Sequence, residues 1–240
     1  MFKIRMKFTK KGYMVFISHL DLARMIERTL RRANIPLAFS QGFNPHPKIS
    51  FATALSLGVS SDGEYIDIEI EEKIDIDEFE RRVTEQLPEG VEIIQCMYID
   101  KKSQSLTSIV EYSTYIVKCN VENDVTEDVI RKKIEEFLGN EEIMIYKTVK
   151  KRNKIKNKEI NIRPMIKELG LIDKNDLTCI FKMTVATGEQ GNLKPDVLMQ
   201  KVNELTILSI VSESIRIQRL DLYAVKNNQL VTPIDISASL

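Results

Sequence analysis

The chain has 240 residues, 43% hydrophobic and 29% charged, with only 9 glycines and 7 prolines; this excludes disordered and collagen-like classes and fits one or two globular domains. No apolar run approaches the ~18–20 residues of a membrane span, and the first eight residues alternate charge with apolar side chains, unlike a signal-peptide core. Three scattered cysteines, Cys96, Cys119 and Cys179, form no metal or disulfide pattern, the usage expected of a cytoplasmic protein. Basic and acidic side chains balance at 35 each but are segregated: residues 1–60 hold ten basic and two acidic groups, 61–100 three and fourteen, 147–163 eight and one. Such blocks raise the expectation of a polyanionic partner.

In chain order, residues 2–8 alternate Phe2, Ile4, Met6 and Phe8 with Lys3, Arg5 and Lys7, the period of a half-buried strand. Residues 13–17 follow the Lys11-Gly12 turn as an extension of that strand or a hairpin partner. Ser18 or Asp21 caps a helix running to about Asn34, with Leu22, Ile26, Leu30 and Ala33 on one stripe and Pro36 ending it. Strands near 37–39 and 49–55 flank a Gly/Pro loop. A third strand alternates Ile66, Ile68 and Ile70 with Asp67, Glu69 and Glu71; a helix over 77–87 and a strand over 91–98 follow. The order β-α-β-β-α-β is the ferredoxin-like plan.

Residues 101–109 are polar and non-periodic, as a linker would be. The order then repeats: strand 112–121, helix 126–138, strand 143–149, a basic loop, a short strand at 159–163, a short helix opened by Pro164, strand 178–186, a helix from Pro195 to about Leu205, and strand 215–225. The expected fold class is therefore α+β with two tandem ferredoxin-like domains, 1–100 and 110–226. Residues 227–240 form an apolar tail that either docks on a partner or frays.

Two groups of charge have different prospects. Lys3, Arg5 and Lys7 would stand opposite Asp67, Glu69 and Glu71 on neighbouring antiparallel strands and neutralise one another. Arg24, Arg28 and Arg31, with Arg32 on the flank, recur on the outer face of their helix with only Asp21 and Glu27 nearby, a spacing suited to successive phosphates. The basic run Lys150, Lys151, Arg152, Lys154, Lys156, Lys158 reads as a phosphate-binding arm.

The loop Ser40-Gln41-Gly42-Phe43-Asn44-Pro45-His46-Pro47-Lys48 is the most distinctive local sequence. Two prolines fix the flanks of His46, Gly42 permits a sharp turn, and Phe43 offers a ring for a base. Lys48 adds a phosphate contact. His46 and His19 are the two histidines and the candidates for acid–base chemistry, while no Cys/His cluster supports a metal. Gly188-Glu-Gln-Gly191, ahead of the Pro195 helix, is a further anion-cradle candidate without nucleotide-loop character.

The runs Ser18-His-Leu-Asp-Leu22 and Ser40-Gln-Gly-Phe-Asn-Pro45, within 16–59, resemble a bacterial family of radical-SAM-linked proteins; the resemblance continues through Ile162-Arg-Pro164 and Leu193-Lys-Pro195. It implies a radical SAM protein as partner, offers no catalytic residues to carry over, and leaves the iron–sulfur cluster with that partner, since this chain has no three-cysteine motif and no cofactor is expected in it. At fold level the chain is also similar to RAMP-class CRISPR endoribonucleases. The expected function is an RNA-binding adaptor of a radical SAM enzyme acting on tRNA or rRNA. The alternatives are a metal-independent endoribonuclease using His46 or His19, and a protein–protein module.

Overall fold

A computed structural model describes residues 1–151, 154–188 and 191–238, with the side chains of 148–157 and 238 outside the description. The chain divides into two units, Met1–Ser113 with Gln218–Leu240, and Thr114–Ile217. Both are mixed α+β.

The first unit begins with β1 (Phe2–Lys10), where Ile4, Met6 and Phe8 are wholly buried. A short 3-10 turn (Gly12–Phe16) follows instead of a strand. Gly12 turns the chain with φ +54, and the Lys11 amide leaves the ladder to donate to the Gly90 carbonyl at 2.7 Å. Helix α1 (His19–Arg32) is capped by Ser18, whose Oγ accepts from the Asp21 amide at 3.1 Å. Leu22, Ile26 and Leu30 are buried, and Asn34 at φ +52 ends the helix ahead of Pro36.

Then come β2 (Ile49–Phe51), β3 (Ser60–Ile70), α2 (Ile76–Thr84) and β4 (Ile93–Ile99). The strand expected at 37–39 reduces to two isolated bridges, Leu37 with Ile70 and Phe39 with Pro47. Pro36 and Pro47 have no N–H to extend a ladder. β1 lies between β4 and β3, antiparallel to both, in a register that pairs Ile4 with Ile68 and Arg5 with Asp67. The other edge of β3 takes β2, antiparallel, at residues 66–68 and β10 (Ile210–Lys226), parallel, at Ser60 and Ser61.

The even-numbered face of β1 and β3 shares a core with Leu22, Ile26 and Leu30 of α1 and Phe79 and Val83 of α2. The odd-numbered face is covered as well. Tyr65 joins Leu106, Ile109, Leu222 and Ile234 in a second core. The stretch expected as a linker thus contains α3 (Leu106–Ile109). The expected tail forms β11 (Gln229–Val231), paired with β10, and α6 (Pro233–Ala238).

In the second unit β5 (Tyr112–Val121) and α4 (Glu127–Leu138) are followed by a two-stranded ribbon, β6 (Met144–Lys151) and β7 (Lys154–Asn161). A 3-10 turn (Arg163–Met165) leads to β8 (Ile166–Asn175), then β9 (Thr178–Ala186), α5 (Pro195–Thr206) and the first part of β10. The hydrogen-bonded order is β10-β5-β9-β8. Sequence periodicity placed a short helix at Pro164 and missed β8. Register shifts between Ile166 and Glu168 and between Leu171 and Asp173 break its alternation. Val117, Ile134, Phe137, Phe181 and Val202 anchor this core. Cys96, Cys119 and Cys179 are free and buried, and burial pushes the Cys119 thiol up to about 12.

No helix among the described residues is long and apolar enough to cross a membrane.

Candidate nucleic-acid interface

The charges of β1 are consumed inside the first unit. Arg5, 1% exposed, makes a two-pronged contact with Asp67 at 2.7 and 2.9 Å and also donates to the Pro233 carbonyl and Ser237 Oγ of α6. Lys3 pairs with Asp67 at 3.1 Å rather than with Glu69, its register partner. Lys7 turns to Asp221 of β10 at 2.6 Å. The same carboxylate accepts from the Tyr65 hydroxyl at 2.6 Å; burial first, and Asp221 second, hold that phenol far above its ordinary range. Glu69 is left to Lys48, 3.1 Å away. Lys48 therefore enters any phosphate contact already paired.

The outer stripe of α1 is different. Arg24 and Arg28 are exposed, Arg24 with only a 3.6 Å contact to Asp21, and Arg28 has no ion pair among the described residues. Arg31 is held by Glu27 at 2.8 Å and lies over the Phe39 ring, 5.3 Å from its centroid. Arg32 is turned away, donating to the Gln86 carbonyl at 2.9 Å. Arg31, Asn34, Pro36 and Phe39 line a shallow depression of ≈ 440 Å³ beside the loop base.

That loop, 40–48, is clamped where it starts and ends. The Ser40 amide donates to the His46 carbonyl at 2.9 Å, the His46 amide to Ser40 Oγ at 3.0 Å, and the Lys48 amide to the Ala38 carbonyl at 2.8 Å. Gln41, Gly42, Phe43, Asn44 and His46 form the exposed tip, with Gly42 at φ +130 and Phe43 fully exposed. An unsupported ring in water at the tip of a clamped loop is available for stacking. His19 packs edge-on against Phe51, with centroids 5.0 Å apart, as an aromatic spacer at the helix start. Neither imidazole has a hydrogen-bond partner among the described residues.

In the second unit the basic segment is a β-ribbon rather than an irregular arm. Its register sets Lys147 opposite Lys158, Lys151 opposite Lys154, Lys150 opposite Ile155 and Lys156 opposite Val149. Lys147 and Lys158 are exposed. Like charges directly opposite on paired strands oppose pairing. Arg152 lies outside the described residues, as do residues 189 and 190 of the Gly188–Gly191 turn.

Sequence periodicity overlooked Tyr13 and Phe16, 87% and 71% exposed on the 3-10 turn, and the exposed Leu20 and Leu57. Their i, i+3 spacing was the available signal, hidden because 13–17 also reads as a strand.

Solved structures with a similar fold include a chain of a Cbf5 complex, where the sequence suggests RAMP-class endoribonucleases. A chain of a Cbf5-Nop10-Gar1 complex is 11% identical with a TM-score of 0.53, over 98% of this chain and 54% of its own length. The archaeal box H/ACA sRNP Nop10-Cbf5 complex matches at 12% identity and TM-score 0.48, over 90% of this chain and 46% of that one. An H/ACA RNP bound to a substrate RNA containing 2'-deoxyuridine gives 11% and 0.48, over 91% and 46%. This chain thus spans about half the length of the structures it resembles, and at such identity the likeness concerns the fold alone. No curated protein matches the sequence. A family model covering residues 3–195 does, and the chain belongs to that family, described as uncharacterized protein conserved in bacteria (DUF2344).

Proposed function

We propose that this protein is an RNA-binding adaptor that presents tRNA or rRNA to a radical SAM enzyme, its two units being ferredoxin-like β-α-β-β-α-β folds. The strand orders β4-β1-β3-β2 and β10-β5-β9-β8 support the fold assignment, with the β6–β7 ribbon inserted in the second unit. The partner follows from the family resemblance of 16–59.

The observation that carries the RNA assignment is the ribbon's register. Two lysine pairs stand directly opposite one another, and Glu159, opposite Tyr146, is the one acidic residue of the two strands. Such a ribbon favours its paired form when an anion neutralises it, and a phosphate backbone supplies closely spaced charge. The exposed arginines of α1 add a second cationic surface on the first unit.

The test is equilibrium binding of the full chain to total tRNA and to rRNA fragments between 50 and 300 mM salt. The adaptor reading expects affinity to fall about 10³-fold or more over that range if roughly six phosphates are neutralised. It also expects crosslinks at 147–158, and weakening by Lys147→Glu with Lys158→Glu. No measurable binding at 50 mM salt overturns it.

A further inference from the structure

Along α1 the first unit carries an ordered sequence of surface chemistry. At the N-terminal end the 3-10 turn displays Tyr13 and Phe16, with Leu20 on the first turn of the helix. Next come Arg24, Arg28 and Arg31, which with Leu20 share one stripe about 16 Å long from Leu20 to Arg31. At the far end Arg31 covers Phe39, the residue that leads into the clamped loop bearing Phe43. Aromatic rings thus bracket a row of guanidinium groups.

The turn that holds Tyr13 and Phe16 is pinned from below. Lys10, wholly buried, donates to the Ile17 carbonyl at 3.1 Å, and burial holds its ammonium below the ordinary lysine range. The Gly58 amide donates to the Val15 carbonyl at 2.9 Å. Gly90 admits the close approach of Lys11, since a Cβ there would meet the Lys11 carbonyl oxygen at 2.5 Å. Three anchors hold a five-residue turn whose two rings contribute little to the core. Rings carried on an anchored backbone lose less conformational entropy when a flat ligand covers them than rings on a mobile one.

We infer that α1 is a track for a short unpaired RNA segment, with bases stacked on Tyr13 and Phe16 at one end and on Phe43 at the other, and the intervening phosphates on Arg24, Arg28 and Arg31. This rests on the RNA-binding reading and names single-stranded RNA as the class this face takes. Arginine and aromatic groups also occur at protein interfaces, but the spacing of Arg24, Arg28 and Arg31 along one stripe suits successive phosphates. Aromatic platforms joined by a cationic row are the chemistry of single-strand binding.

The experiment uses the full chain and three fluorescein-labelled probes of equal length: an unstructured heptanucleotide, its abasic counterpart with the same phosphates, and a duplex. The track expects the heptanucleotide to bind at least tenfold more tightly than the abasic probe. Tyr13→Ala with Phe16→Ala, and separately Phe43→Ala, should each shrink that margin about tenfold. Arg24→Glu, Arg28→Glu and Arg31→Glu together should weaken both probes alike. The chain has no tryptophan, so Phe16→Trp gives a single reporter, expected to be quenched by the heptanucleotide and not by the abasic probe. Equal affinity for all three probes, with no effect of the ring variants, overturns the track while leaving RNA binding in place. So does loss of a co-purifying protein, and not of RNA, in the ring variants. Failure of every probe and of tRNA at 50 mM salt overturns both.

Discussion

Two rows of basic side chains, both within the first 32 residues, meet opposite fates. On β1, Lys3, Arg5 and Lys7 are paired with Asp67 and Asp221, and Arg5 also donates to α6. Arg24, Arg28 and Arg31 on α1 face water, two of them with partial partners and Arg28 with no ion pair among the described residues. Residue type does not separate these rows. What separates them is whether the chain returns to cover them: β10 and the segment 229–238 come back from far along the sequence to close the β1 face, and nothing described closes α1. A buried guanidinium with every donor engaged is costly to remove, while an exposed one contributes little to stability and is available to a ligand.

The largest expected effect breaks the closed row. Arg5→Ala leaves the Asp67 carboxylate buried with Lys3 as its remaining ion-pair partner and should cost about 3–5 kcal/mol, read as a fall in the urea midpoint at unchanged slope. A change below about 1 kcal/mol would show that the face is more hydrated than its burial indicates. Ending the chain at Thr232 removes α6, the buried Ile234 and two Arg5 acceptors, and should cost about 2–4 kcal/mol. Hydrogen exchange should then rise along β1 and β3 rather than in β5.

The open row should respond the other way. Arg24→Glu with Arg28→Glu and Arg31→Glu is expected to change stability by no more than about 1 kcal/mol in all, while lowering the salt slope of RNA binding by about 2, at roughly 0.7 per lost single-strand phosphate contact. Loss of stability without loss of RNA affinity would reverse the comparison.

The smallest effect concerns α2, where exposure alone does not make a cationic site. Arg81 is exposed and Arg82 half-buried on the helix, both hydrogen-bond to Glu78, and those bonds, Arg81 first, pull its carboxyl down to about 2. The ordinary value is 4.5, so this pairing is fully present above that pH and is lost as pH falls through about 2. Glu78→Gln should flatten that part of the acid unfolding curve and leave neutral-pH RNA binding unchanged.

Much was legible in single segments. Alternation gave β1 and β3, the Ser18 cap gave the start of α1, and the facing charges of β1 and β3 announced the pairing of Lys3 and Arg5 with Asp67, but not those of Lys7 with Asp221 and Glu69 with Lys48. The loop at 40–48 was recognisable because prolines and glycine punctuate it, and the structure adds the clamp between Ser40 and His46. The bulged strand β8 was not legible, because two register shifts remove the period on which strand recognition depends. Nor were Tyr13 and Phe16, since the apolar run 13–17 also reads as a strand, in which residues three apart fall on opposite faces.

The sequence by itself determined local conformation and which charges were candidates, because periodicity, caps and turn residues act within a few positions of the chain. Only the tertiary structure decided which candidates were spent. Asp221, Pro233 and Ser237 come to Arg5 and Lys7 from more than 200 positions away, and no local pattern reports a contact of that range. Burial sets the strength of an ion pair and the availability of a ring, and burial is settled by the packing of distant segments.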